Sequence, residues 1–323
     1  MTDANASMDL GAALEPLRPG LRLHCYRMLG SSHDSDDMVQ EAMLRAWRAR
    51  GSLADPARVK PWLYRIATNA CLDELRSRSR RALAPDIAAP VPGDSFPPAA
   101  PLEDAAWLEP MPDGWLGGGG DDPEARYTLR ESVALAFVAA LQVLSPQQRA
   151  TLLLRDVVGL SAEETAEALD QSVSAANSVL HRARAAVEDR VARRDPATFA
   201  AVPADEQALA RYVQALEAHD IDAMIALLHD EVHTTMPPSP TWVAGRADNI
   251  EFFRRMFARW GDEAIRIVPI GVNGGAGFEF HRGGAVRAIE AVEARDGKIF
   301  RMHHFMQPAV VALFSTASRS AIQ

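Results

Sequence analysis

The chain is 323 residues long, 48% hydrophobic, and carries a formal net charge of −9 at pH 7. That length leaves room for two or three domains. No run of about 18 apolar residues occurs, so no membrane span is expected, and the polar, acidic start MTDANASMDL lacks the basic and apolar parts of a secretion signal. The two cysteines, Cys25 and Cys71, show neither CxxC nor Cys/His spacing. They point to reduced core thiols in a cytoplasmic protein, with no metal and no cofactor expected.

Residues 14–29 and 36–50 read as amphipathic helices. Leu14, Leu17 and Leu21, then Met38, Val39, Ala42, Met43 and Ala46, form their apolar faces. Asp37, Gln40 and Glu41 share the polar face of the second, which by itself is an ordinary solvated face. The loop Gly51-Ser52-Leu53-Ala54-Asp55-Pro56 cannot continue a helix. A helix is predicted from Pro61 to Arg81, with proline at its first position. Trp62, Leu63, Ile66 and Leu72 are assigned to its core side, and Arg65, Asn69, Asp73, Arg76 and Arg78 to other faces. Residues 1–83 hold 13 Lys/Arg against 10 Asp/Glu, and the excess is concentrated at Arg76, Arg78, Arg80 and Arg81. Clustered cations matter more for phosphate binding than the total charge of the chain.

Residues 84–125 contain no Lys or Arg and 9 Asp/Glu, and are rich in Pro, Ala, Gly and Asp. Such a stretch cannot bury enough apolar surface to fold alone and reads as a linker. Within it, WLEPMPDGWL (107–116) places two tryptophans in an otherwise plain tract. A bare tether and a functional block both remain open readings.

Residues 126–200 contain a helix-turn-helix pattern. Ser161 is a candidate N-cap with Glu164 completing a capping box. Thr165, Ala166 and Leu169 form a buried face, and Asp170-Gln171-Ser172 breaks the pattern. A second helix buries Ala176, Val179, Leu180, Ala183 and Val187. Ser172 and Ser174 at its start, with Asn177, Ser178, His181, Arg182 and Arg184, present a polar then cationic face. That face suits a helix in a major groove clamping phosphates; an ordinary helical hairpin is the plainer alternative.

Residues 201–323 read as three helices followed by strands at 263–270, 276–282, 285–294 and 298–307, separated by Gly-rich or Asp-Gly turns, an α+β pattern. In the last strand, alternation puts Phe300, Met302, His304 and Met306 on one face and Arg301, His303 and Phe305 on the other. His304 is therefore the candidate for a pocket, with Met236 and Trp242 at its mouth. No converging set of acids is evident there, and catalysis is not expected.

Taken in order, DSDDMVQEAMLRAWR (34–48), PWLYRIATN (61–69) and the helix containing LHRARA resemble the extracytoplasmic-function class of bacterial sigma factors. HDEVHTTMPPSPTWVAGRADNIEFF (229–253) with DGKIFRMHHFMQP (296–308) resembles SnoaL-like polyketide cyclases of cone fold. The implied architecture is multidomain: an all-α sigma region 2 (1–83), the acidic linker (84–125), an all-α helix-turn-helix region 4 (126–200) and an α+β SnoaL-like domain (201–323). The implied activity is binding of RNA polymerase core and direction of it to a promoter, with no enzyme activity.

By that resemblance, Asp37, Gln40 and Glu41 dock on the clamp helices of the largest polymerase subunit. Ser52, Leu53 and Asp55, with Arg65, Asn69, Arg76 and Arg78, serve the −10 element, where a flipped base must be compensated for lost stacking. Ser172, Ser174, Asn177, Ser178, His181, Arg182 and Arg184 serve the −35 element. The linker is expected near the RNA exit path, where its acids could occupy a cationic channel. Asn177 and Val179 stand where the family often has cations, so isolated region 4 is expected to bind DNA more weakly, by about tenfold at moderate salt. The C-terminal domain is expected to modulate activity, with a possible small-molecule ligand in its pocket. The competing readings are a cyclase or hydrolase fused to a DNA-binding module, and a ligand-sensing transcription regulator that needs no polymerase core.

Overall fold

The structure, a computed structural model, describes residues 10–77, 80–117, 128–193 and 205–320. Its contacts divide it into two units. One combines the residues up to Arg80 with those from Ala136 in the middle of the chain; the other combines Arg81–Leu135 with the C-terminal part.

The first unit is all α. Its elements are α1 (Leu10–Leu14), α2 (Arg18–Leu29), α3 (Ser32–Arg48), α4 (Val59–Leu75), α5 (Leu135–Leu141), α6 (Pro146–Leu152), a π-helical turn (Leu153–Val157), α7 (Ala162–Ala168) and α8 (Val173–Arg193). Local chemistry sets the boundaries. Gly30, at φ 68°, stops α2, and the Ser31 hydroxyl caps α3 by accepting from the Asp34 amide at 3.1 Å. The predicted capping box forms: Ser161 Oγ accepts from the Glu164 amide, and Glu164 accepts from the Ser161 amide at 2.8 Å. Asp170 takes the left-handed φ of 53° that breaks the chain between α7 and α8.

Helix α4 begins two residues before the expected Pro61 and stops at Leu75, short of the expected Arg81. Extending it would stack Arg76 and Arg80 one turn apart, and like charges at that spacing disfavour a helix.

Regions 2 and 4 do not form separate cores here. Leu21, Met28 and Leu63 share one buried cluster with Leu141 and Leu153. The buried guanidinium of Arg149 on α6 donates to the Met28 carbonyl of α2 and to Gln142 Oε1 at 2.7 Å. Burial lowers its pKa to about 10, with the nearby Arg80 pushing in the same direction. His24, wholly buried against Thr68 at 2.9 Å, has its pKa lowered to about 3 by burial and by Arg27, so it is a neutral structural group. Cys25 and Cys71 are buried free thiols.

The second unit is α+β: α9 (Glu206–Glu217), α10 (Ile221–Leu227), β1 (Leu228–Thr235), β2 (Trp242–Ala244), α11 (Arg246–Trp260), β3 (Ile265–Val272), β4 (Gly275–Arg282), β5 (Ala285–Arg295), β6 (Lys298–Phe305) and α12 (Pro308–Ser320). The sheet runs β2-β1-β6-β5-β4-β3, with only β1 and β6 parallel among the described pairs. The hairpins joining β3 through β6 turn on Asn273-Gly274, Gly283-Gly284 and Asp296-Gly297, all at positive φ, as tight two-residue turns demand. β1, β2 and α12 add to the elements expected from the sequence.

One expectation on β6 is corrected. Ile299 pairs with Ala294 and Arg301 with Glu293, so Phe300 is an extra residue in a β-bulge. Ile299 and Met302 join the inner core. Phe300 instead meets the His229 and His233 rings at centroid distances of 5.2 and 6.4 Å.

The acidic segment is not a bare tether. Its described residues lie on the α+β fold. Val91 donates to the Trp242 carbonyl, Gly93 to Asp248 Oδ1 and Ala99 to Thr241 Oγ1. Gly93 approaches so closely that a Cβ would lie 2.2 Å from the Asp248 carbonyl oxygen, and only glycine fits. Trp107, Leu108 and Met111 are buried. Met111 and Asn273 exchange bonds of 2.9 Å, the Met111 amide to the Asn273 side chain and the Asn273 amide to the Met111 carbonyl. The Gly274 amide donates to Asp113 at 2.7 Å. Burial raises the Asp113 carboxyl pKa, with that amide and Arg130 opposing.

Candidate functional sites

Three surfaces on the first unit and one cavity inside the second hold the residues singled out in the sequence. On α3, Asp37 and Gln40 are exposed, while the half-buried Glu41 accepts from Arg45 Nε at 2.7 Å. Arg45 also reaches Asp73 at 3.0 Å. The same side of the helix exposes Leu44 (53%) and Trp47 (55%). Helical spacing groups Asp37, Gln40, Glu41, Leu44 and Trp47 into one mixed acidic and apolar face. The two apolar residues were missed from sequence. Their signal was their position off the stripe of Val39, Ala42 and Ala46, all fully buried.

The loop after α3 forms a cavity of about 260 Å³ lined by Ser52, Leu53, Asp55, Arg58, Trp62 and Arg65. Ser52 and Asp55 hold the loop itself. Ser52 Oγ accepts from the Trp62 indole at 3.1 Å, and Asp55 caps the next turn through the Ala57 amide at 2.9 Å. The opposite wall comes from α7, through Glu164, Glu167 and Ala168. Glu167 lies 2.7 Å from Arg58 and 3.7 Å from Arg65, and Lys60 donates to the Val158 carbonyl at 2.9 Å. Arg58 was not singled out from sequence. Asn69 is exposed; Arg76 pairs with Asp73 at 2.8 Å; Arg78 lies outside the described residues.

On α8, Ser174, Asn177, Ser178, His181 and Arg182 line a shallow exposed surface. Three predicted members make bonds within the protein, Ser178 among them, whose Oγ donates to the Ser174 carbonyl at 2.9 Å. Ser172 Oγ caps α8 by accepting from the Ala175 amide at 3.2 Å, and Arg184 is held in a two-bond pair with Asp156 at 2.6 and 2.9 Å.

The second unit encloses a cavity of about 410 Å³ between α11 and the inner face of the sheet. Met236 and His304 line it. Trp242 does not: its indole donates to the Ala88 carbonyl at 2.8 Å and its ring packs on His233. β2 thus turns Trp242 towards the docked segment. His303, on the opposite face of β6, is bonded to Thr235 at 2.8 Å.

Sequence reasoning saw no acid near His304, yet Glu290 is there. It is fully buried, its Oε1 lies 3.7 Å from His304 Nε2, and it accepts a hydrogen bond from the Tyr212 hydroxyl. Burial raises the Glu290 pKa, against the opposing pull of His304 and Tyr212. Glu290 shares the inward parity of Ala288 and Val292 on β5, and a charged residue at that parity in an apolar strand was the available signal. Among the described residues no group of three or more His, Cys, Asp or Glu side chains could hold a metal ion.

Comparison with known proteins follows this division. Models of sigma-70 region 2, sigma-70 region 4 and a SnoaL-like domain match residues 14–81, 134–187 and 209–302. The ECF RNA polymerase sigma factor SigG of Mycobacterium tuberculosis (strain ATCC 25618 / H37Rv) is 39% identical over 316 residues, spanning 95% of this chain and 82% of that one. SigJ of the same strain is 30% identical over 312 residues, spanning 91% and 90%. The crystal structure of M. tuberculosis SigJ superposes with a TM-score of 0.59 at 25% identity, covering 94% of this chain and 98% of that one.

Proposed function

The chain belongs to the extracytoplasmic-function RNA polymerase sigma factors, and we propose how its surfaces divide that work. As an alternative sigma factor it binds polymerase core and directs promoter-specific initiation. The observation that carries the reading is the pairing, in one chain, of the exposed α3 face with the exposed polar face of α8.

Asp37, Gln40 and Glu41, with Leu44 and Trp47 beside them, dock on the clamp helices of the largest subunit. Exposed apolar side chains rimmed by charge suit a protein-docking contact. The loop of Ser52, Leu53 and Asp55, with Arg58 and Arg65, receives the −10 element. Asn177 and Ser178 read −35 base edges, and Arg182 holds a phosphate. The protein works in the cytoplasm, with its polymerase; among the described residues no helix is long and apolar enough to cross a membrane.

The C-terminal domain regulates. It grips the segment joining region 2 to region 4 at both ends, near Trp107–Asp113 and, through the bond from Asn273 Nδ2 to the Val133 carbonyl at 2.7 Å, just before α5. A gripped linker limits how far apart regions 2 and 4 can move. Transcription with purified core, comparing full-length protein with protein cut after about residue 200, tests this. A several-fold change in promoter use supports the regulatory role, and identical transcription on every promoter removes it.

A second reading, an enzyme in the C-terminal domain, is favoured by one observation, the His304–Glu290–Tyr212 chain at the cavity. Unchanged transcription in the truncation assay makes that reading the next to be assayed.

A further inference from the structure

The C-terminal cavity has a chemistry of its own. Its walls are apolar and aromatic, chiefly Phe252, Phe253, Phe280 and Met256. Its volume falls within the range of small-molecule sites, about 300–1,000 Å³. The charged groups lining it are all of one kind: Arg259, Arg282 and Arg287 contribute, and no described lining residue carries a carboxylate.

The arginines are not equivalent. Arg282 lies 4.4 Å above the Trp260 ring and pairs with Glu263 at 3.3 Å. Arg259 and Arg287 line the cavity and are exposed. Three cations around an apolar hollow, with one nearby acid between them, favour a ligand that brings its own negative charge. Guanidinium forks match a carboxylate in particular. His304, backed by the buried Glu290, adds a further polar group to the lining.

One wall does not belong to the cone. Phe96, Pro97 and Pro98 of the docked segment line the cavity. The Phe96 ring meets Phe252 edge-on at 5.1 Å and Trp260 at 6.2 Å. The bonds of Val91, Gly93 and Ala99 to the cone hold that wall in place.

We propose that this cavity binds a small apolar carboxylic acid, its body among the phenylalanines and its carboxylate on Arg259 and Arg287, with Phe96 as the wall that reports occupancy to the segment joining regions 2 and 4. The proposal rests on the regulatory reading above and adds the ligand's chemical class and the residue that senses it. A ligand acts on the segment only by favouring its seated or its released form, and direct contact with Phe96 supplies that difference.

The test is calorimetric titration of the full-length protein with 2-naphthoate and decanoate, each against its uncharged primary amide. At least one acid is expected to bind tenfold or more tightly than its amide. Arg259→Gln with Arg287→Gln, both at exposed positions, is expected to reduce that preference to about twofold while leaving amide binding unchanged. Amide hydrogen exchange at Val91, Gly93 and Ala99 is expected to change on acid binding, and Phe96→Ala to remove that change. Equal affinity for acid and amide, or no saturable binding of either acid up to millimolar concentration, overturns the ligand assignment. Acid binding with no change in exchange along 91–99 overturns the sensing role of Phe96. Acid binding with unaltered transcription leaves the site standing and removes the regulatory reading, so the two failures are distinguishable.

Discussion

The two surfaces assigned to promoter DNA stand in opposite states. The face of α8 is open, with Asn177, Ser178, His181 and Arg182 exposed. The loop surface of region 2 has α7 set against it, and Glu167 lies between Arg58 and Arg65. If this loop receives DNA as proposed, the Glu167 carboxylate competes with phosphate for the two guanidiniums. Both pairs are about half exposed, so water screens them and neither holds the regions together firmly. The larger restraint on separating regions 2 and 4 is their common apolar cluster and the Arg149 bond to Met28. On the proposed assignment, region 4 meets DNA as it stands, whereas α7 has to move off the region 2 loop before −10 DNA can reach it.

The largest effect is expected at α3. Asp37→Arg with Glu41→Arg should abolish copurification with polymerase core while far-ultraviolet circular dichroism stays unchanged. If the covered state of region 2 is opened by core, this pair also keeps −10 DNA from binding. Normal core binding by the pair would show that α3 has another role.

The next effect separates the gripped linker from the first unit. Leu108, fully buried, anchors the docked segment, and Leu108→Ala should cost about 2–5 kcal/mol of local stability. Faster amide exchange near residues 106–113, with no change in α2 or α6, is the expected signature. A global loss of protection in both units would contradict their separation.

Acid should then weaken the first unit through His24. Its folded pKa of about 3 lies below the ordinary 6.5, so the unfolded chain binds the proton first. Stability is full above about pH 6.5 and falls as pH drops below it. The loss by pH 5 is about 2 kcal/mol. Urea unfolding between pH 7.5 and 5 measures the slope, and His24→Gln should flatten it.

Much of this architecture was legible in the sequence, because local signals act locally. The Ser161–Glu164 capping box and the Gly-rich and Asp-Gly turns of the hairpins are legible in the residues themselves. What was not legible depends on residues far apart. The seating of WLEPMPDGWL needs Asn273, some 160 positions away along the chain, and its Pro-rich, acidic composition reads as solvated. Glu290 meets Tyr212 from another element, and a one-residue bulge moved Phe300 to the other face of β6. Of the residues proposed to meet promoter DNA, the residue types were visible, but the partners that engage Arg184 and Arg65 were not.

Smaller effects sharpen the contrast between the open and covered surfaces. Asn177→Ala should alter preference among −35 sequences by about 1–3 kcal/mol. Arg182→Ala should weaken all of them alike by about 1 kcal/mol and lower the salt slope by about one. Binding titrations on a panel of −35 duplexes at several salt concentrations distinguish the two; equal loss of specificity from both would mean that α8 is oriented differently. The smallest effect is at the covered surface. Glu167→Gln should strengthen binding to single-stranded −10 DNA by up to about fivefold and leave −35 binding unaltered. A matching change in −35 affinity would erase the distinction between the two surfaces.

The central claim is that this chain gives polymerase core its promoter choice. Transcription of a genomic promoter library by purified core, with and without the full-length protein, measures this directly. The account predicts a discrete set of start sites that appears only with the protein and disappears with the Asp37→Arg, Glu41→Arg pair. The same transcripts from core alone, or no new start site when the protein is present, would contradict it.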